Sequence, residues 1–236
     1  MKHNIFEMMT RHEVPYASKE VMNLFVAHVH HFDPHRSNQV CVPDIMYRRG
    51  YAPKNTLADV KTITVCPSRY GPARLQQRCG AVNARAALIT GEYAAKAREG
   101  DRKYNGVAQG AQPGPLQQEM TSYGRIEGLV FGAYGEVSRD VDALVKLAAT
   151  HGAPARWRDM GARNVMEARS TITQQWRRTL GVQGVRAHAA LKRAVLRRVI
   201  GGDENAGGRR RNARYSAWRH ARADYHRRHQ PDGRGW

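Results

Sequence analysis

Hydrophobic positions along the first third of the chain follow two different periods. In residues 18–32, Val21, Leu24, Phe25, Val29 and Phe32 fall on one side of a 3.6-residue repeat. With Ser18 as cap, this predicts a helix that Asp33-Pro34 stops. Residues 1–15 show little periodicity before Pro15 and predict no element. Two β-like runs follow. Residues 39–47 contain Val40, Val42, Ile45 and Tyr47, and residues 56–65 are rich in β-branched side chains, with turn-like Arg48-Arg49-Gly50 and Pro53-Lys54-Asn55 between them.

Further along, residues 66–80 carry Pro67, Pro72 and Gly80 and predict irregular or briefly helical chain. Residues 81–104, rich in Ala, Lys and Arg, predict a helix interrupted near Gly91 or Gly100. Residues 106–115 form a Gly/Pro/Gln loop. Ile126, Leu129, Val130, Phe131 and Tyr134 mark a third strand over 125–134. Ser138 then caps a helix to about His151, with Asp140 and Asp142 in its first turn, where the helix dipole favours them. Beyond Pro154 the pattern predicts two basic amphipathic helices, 155–180 and 182–200, then a glycine-containing linker over 201–208. No solenoid-length repeat is present. Helices alternating with strands predict the α/β class.

Charge adds a direction. The chain carries a net charge of +19, and residues 151–236 hold 20 Lys/Arg against 6 Asp/Glu. Such an excess points to a polyanion, because basic side chains gain affinity by releasing counterions condensed on phosphates. In the tail, Arg209, Arg210, Arg211, Arg214, Arg219, Arg222, Arg227 and Arg228 alternate with Tyr215, Trp218 and Tyr225, so phosphate contact and base stacking by Trp218 can act together. Arg48 and Arg49 extend the candidate nucleic-acid contacts to the turn between the first two strands. No apolar run approaches the roughly 18 residues that a membrane span needs, and no secretory signal is visible. Cys41, Cys66 and Cys79 form no CxxC pair and leave an odd thiol in any disulfide scheme, which fits a reducing compartment. The expected location is intracellular, and nuclear in a eukaryote. His28, His30, His31 and His35 crowd one stretch, but only Asp33 is near enough to add a ligand, so a zinc site is not expected there.

Candidate chemistry lies on the first two strands, in Pro43-Asp44 and Asp59-Val60-Lys61. Period-2 alternation places Asp59 and Lys61 on one face, and the separation from Asp44 allows two paired strands and their turn. Two carboxylates and a lysine then converge at one edge. Phosphodiester hydrolysis needs such a set: oxygen ligands for Mg²⁺ (or Mn²⁺), and a cation to orient water or neutralise charge on the phosphate.

On these residues the chain resembles the PD-(D/E)xK superfamily, the restriction-endonuclease-like nucleases, over roughly residues 16–150. It is also similar to the restriction-like endonuclease domain of some non-LTR retrotransposon proteins. The resemblance implies a mixed sheet flanked by helices, followed here by a basic helical C-terminal region. It further implies Mg²⁺-dependent cleavage of DNA, in preference to RNA, with Asp44 and Asp59 as metal ligands and Lys61 as the catalytic cation. An additional acidic residue on the family's first helix has its nearest match in Glu20, which at a helix start would also serve the dipole. The chain shows neither a Tyr-x-Asp-Asp-like acidic pair nor Cys/His knuckle spacing, so the expectation is a detached domain, a truncated relic or a distant relative with other duties. The expected organisation is a nuclease-like domain over 16–152, a basic helical region over 153–200 and an arginine-rich tail over 201–236. The competing expectation is a non-catalytic nucleic-acid-binding protein, or a structural component of a ribonucleoprotein whose arginine-rich segments order on RNA.

Overall fold

A computed structural model of the protein describes residues 1–19, 21, 24–25, 41–49, 54–63 and 75–200. In chain order its elements are α1 (Lys2–Arg11), β1 (Ser18–Lys19), β2 (Ile45–Tyr47), β3 (Thr56–Thr62), α2 (Leu75–Tyr104), α3 (Pro115–Ser122), β4 (Glu127–Phe131), α4 (Arg139–Arg156) and α5 (Val165–Ile200). The four strands form one mixed sheet in the order β1-β2-β3-β4. The β1–β2 and β2–β3 pairs are antiparallel, with Ile45 opposite Ala58; β3 and β4 are parallel, with Asp59 opposite Gly128. The α/β class expected from the sequence is what the chain adopts.

Each face of the sheet has its own core. On one, Ile45, Tyr47, Ala58, Leu129 and Phe131 pack with α1, α4 and the first half of α5. On the other, Leu57 and Val130 pack with Val82, Ile89 and Tyr93 of α2 and with Leu116 and Met120 of α3. All five residues of β4 are buried, as befits a strand covered on both sides. The compact unit is Met1–Ala189, larger than the 16–152 segment delimited from sequence; the described part of the second unit, Ala190–Trp236, is the end of α5. Among the described residues no helix is long and apolar enough to cross a membrane.

Four local expectations are corrected. Residues 2–11 form a helix, because Ile5, Met8 and Met9 bury one side of it against the core even though its sequence pattern is short and its other positions polar. Ser18 lies in β1, so no helix starts there; residues 26–32 of the expected helix lie outside the described residues. α2 runs unbroken through Gly91 and Gly100, since Val82, Ala86, Ile89, Tyr93, Ala97, Gly100 and Tyr104 make one continuous buried stripe at helical spacing. That packing outweighs the roughly 1 kcal/mol cost of a helical glycine. The two expected basic helices are one helix beginning at Val165, and Gly181 falls inside it. A Cβ at Gly181 would stand 3.3 Å from the Gly135 carbonyl oxygen, so this glycine serves close passage rather than chain reversal.

Ser138 is the N-cap residue of α4, as its sequence suggests, but its hydroxyl does not cap the helix. It donates to the Gly128 carbonyl at 2.6 Å and accepts from Val130 N–H at 3.1 Å. Asp140 accepts from Gly128 N–H at 2.8 Å. The start of α4 is thereby stitched to β4.

Candidate active site

The middle of β3 carries the candidate chemistry. Strand alternation puts Asp59 and Lys61 on the α2 side of the sheet, and Lys61 Nζ stands 2.7 Å from Asp59 Oδ2. Asp59 is 2% exposed, whereas the Lys61 side chain is 37% exposed. The ammonium therefore reaches inward from solvent to a buried carboxylate. That contact is an ion pair without hydrogen-bond geometry, and Asp59 Oδ2 has no hydrogen-bond partner. An ionised oxygen left in this condition is costly without a cation beside it.

The other Asp59 oxygen is held from α2. Tyr93 Oη lies 2.9 Å from Asp59 Oδ1 and also 2.9 Å from the Val42 carbonyl oxygen, so its one proton is shared between two acceptors. Burial first, and then the Asp59 and Asp44 carboxylates, push the Tyr93 phenol well above its ordinary value. Tyr93 therefore remains a donor at neutral pH, and both negative charges lie close enough to act on it.

Asp44 immediately precedes β2 and turns its carboxylate toward β3. Its Oδ2 accepts from Val60 N–H at 2.8 Å, taking the place of a ladder partner beyond the end of β2. Its Oδ1 lies 2.7 Å from Lys2 Nζ on α1. Asp44, Asp59 and Lys61 are thus gathered around the middle of β3, with Tyr93 and Lys2 added from two helices.

These residues fit a hard divalent cation in one respect and limit it in another. Mg²⁺ usually keeps several waters and takes one or two protein carboxylates, which two aspartates satisfy. Asp59 Oδ2, buried and lacking a hydrogen bond, is an oxygen that takes a cation, and Lys61 supplies one at 2.7 Å. Among the described residues, however, no group of three or more His, Cys, Asp or Glu side chains is placed to hold a metal. Glu20 lies outside the described residues, as do the tail candidates Arg209, Arg210, Arg211, Arg214, Trp218, Arg219, Arg222, Arg227 and Arg228.

The two arginines after β2 are engaged within the fold. Arg48 stacks its guanidinium 4.0 Å from the Tyr16 ring centroid and donates Nε–H to Asn55 Oδ1 at 3.2 Å. Arg49 Nη2 is 2.8 Å from Glu127 Oε1, and the other oxygen of Glu127 takes the Tyr47 hydroxyl. Burial raises the Glu127 pKa against the opposing pull of Tyr47 and Arg49. This second carboxylate lies on β4 beside Ala58, on the opposite sheet face from Asp59.

Sequence reasoning did not identify Tyr93 or Lys2. A lone tyrosine in an Ala-rich helix carries no motif, and only the stripe linking Val82 to Tyr104 marks the side on which it falls. Lys2 belongs to a segment with no evident period. Comparison with protein-family models, with curated proteins and with solved structures finds no match.

Proposed function

We propose that this chain is a divalent-metal-dependent endonuclease of the PD-(D/E)xK, restriction-endonuclease-like kind, acting on the phosphodiester bonds of DNA. The observation that carries the reading is that Asp44 is anchored on Val60 N–H, one residue along β3 from Asp59, whose buried Oδ2 faces Lys61. The sheet flanked by helices on both faces agrees with it. So does the cationic surplus of the C-terminal third, which suits a phosphate polymer.

In this mechanism Asp44 and Asp59 would hold Mg²⁺ or Mn²⁺, and the ion would supply Lewis acidity toward the phosphoryl oxygen and lower the pKa of water. Tyr93 fixes the rotation of the Asp59 carboxylate. Val60 N–H does the same for Asp44. Lys61 neutralises charge that develops on the phosphate as the bond to the leaving oxygen breaks. Affinity comes from arginines elsewhere, including the tail, and a relationship to mobile-element nucleases accords with this division of labour.

A second reading has its own observation. Each carboxylate already faces a lysine and each already holds a hydrogen-bond donor, which is also how a purely structural pair looks. On that reading the protein binds nucleic acid, or stiffens a ribonucleoprotein, without cutting. Plasmid nicking with Mg²⁺ separates the two. Wild type should nick, and Asp59→Asn should lose at least about a hundredfold in rate while binding DNA nearly as well. Equal nicking by both proteins, or none by wild type, removes the nuclease reading.

A further inference from the structure

The nuclease reading leaves Lys2 without a role. It sits in the first turn of α1, a helix fixed by Ile5, Met8 and Met9 in the core, and its ammonium lies 2.7 Å from Asp44 Oδ1. With Lys61 on Asp59, the described residues bring two carboxylates and two ammoniums together in ion pairs. A divalent ion placed on these carboxylates would be repelled by both lysines, each about twice as strongly as a monovalent ion at the same distance. Moving one ammonium away would relieve about half of that repulsion.

The two lysines are not equivalent. Lys61 faces a carboxylate that is 2% exposed and an oxygen with no hydrogen bond, so its departure would strand a buried charge. Lys2 faces the more open Asp44, whose other oxygen already holds Val60 N–H. Its four-carbon stem can swing the ammonium away while α1 stays in place.

Resting on the nuclease reading, we propose that Lys2 is a charge-exchange residue. It neutralises Asp44 in the metal-free protein, yields that carboxylate to the divalent cation, and passes its ammonium to a phosphate of the bound nucleic acid. Phosphate and metal then favour the same displaced position of Lys2. Each must strengthen the binding of the other, since coupling between two ligands is reciprocal.

The test uses the full chain. Mn²⁺ affinity without nucleic acid is measured by calorimetry for wild type, Lys2→Met, Lys2→Arg and Asp59→Asn. Lys2→Met should bind Mn²⁺ about tenfold more tightly than wild type, for loss of one repelling charge. Lys2→Arg should stay near wild type, and Asp59→Asn should bind weakly. Duplex DNA affinity is then measured with and without Ca²⁺. The Ca²⁺ enhancement seen in wild type should shrink toward one in Lys2→Met. Lys2 is half-exposed, and circular dichroism checks that each variant is folded. Unchanged Mn²⁺ affinity in Lys2→Met, with wild type binding normally, overturns the role of Lys2 and leaves the nuclease reading standing. Mn²⁺ binding by neither protein, or undiminished binding by Asp59→Asn, overturns both.

Discussion

Trp176 of α5 donates its indole Nε1–H to His12 Nε2 across 2.6 Å, joining the middle of one helix to the end of α1. The acceptor nitrogen must be unprotonated, so His12 is neutral. Burial first, then the charges of Arg156 and Arg11, lower its pKa from 6.5 to about 4. The unfolded chain therefore binds this proton at higher pH than the folded one. The stability contributed by neutral His12 is fully present above pH 6.5 and is lost as pH falls toward 4. The loss is on the order of 2–3 kcal/mol. Urea midpoints at pH 7 and pH 4.5 should fall more steeply for wild type than for His12→Gln. Parallel behaviour of the two proteins would show that His12 is not the titrating group.

Gly128 of β4 is pressed against α2. A Cβ there would lie 2.5 Å from Ala86 Cα and 2.8 Å from its carbonyl oxygen, both backbone atoms of the helix. Gly128→Ala should destabilise the protein by about 3 kcal/mol. Adding Ala86→Gly should recover little, because the obstruction is main chain. Thermal melts of the single and double variants check this, and full rescue would contradict it.

Asp101, at the end of α2, caps a helix it does not belong to. Its Oδ1 accepts from Leu116 N–H at 3.0 Å and its Oδ2 from Gln117 N–H at 2.9 Å, at the start of α3. Asp101→Ala leaves two buried or half-buried amides without partners and should cost about 2 kcal/mol, with Asp101→Asn losing less. Hydrogen exchange should accelerate first at Leu116 and Gln117. Unchanged protection at those amides would remove the capping role.

Tyr93→Phe deletes the donor to Asp59 while keeping the ring in its core. Stability should fall by about 1.5–3 kcal/mol, the range for a hydrogen bond to a charged group. On the proposed function, kcat for nicking falls as well while DNA affinity is retained, because the phenol orients a carboxylate and does not face the polyanion. A fall in affinity with kcat unchanged would assign Tyr93 to binding instead.

Much of the sheet was legible in the sequence because β-branched residues cluster in 56–65 and large apolar ones in 125–134, between clear turn signals. The same alternation placed Asp59 and Lys61 together, as the structure does. Glycine misled twice. Gly100 and Gly181 look like interruptions by propensity, yet Gly100 lies on the buried stripe of α2 and Gly181 lets α5 pass the Gly135 backbone. α1 and α3 escaped notice because they are short, and tertiary packing rather than local pattern makes them helical. The same reason hides Lys2 and Tyr93: each reaches its aspartate only because a helix has docked. That is information held between elements, not within one.

β3 and β4 lie side by side, yet Ala58 pairs with Glu127 only after α2 and α3 have been threaded between them. A ribosome therefore releases β3 well before β4, the strand it closes on. β3 emerges first, with its neighbour still unsynthesised until Phe131 appears. α1, the earliest helix to emerge, waits longer, since Trp176, the donor to His12, comes later still. Loop closure on this scale slows folding and leaves apolar edges uncovered in the meantime. The nascent chain carries α1 and the half-built sheet as adhesive surfaces through most of its synthesis.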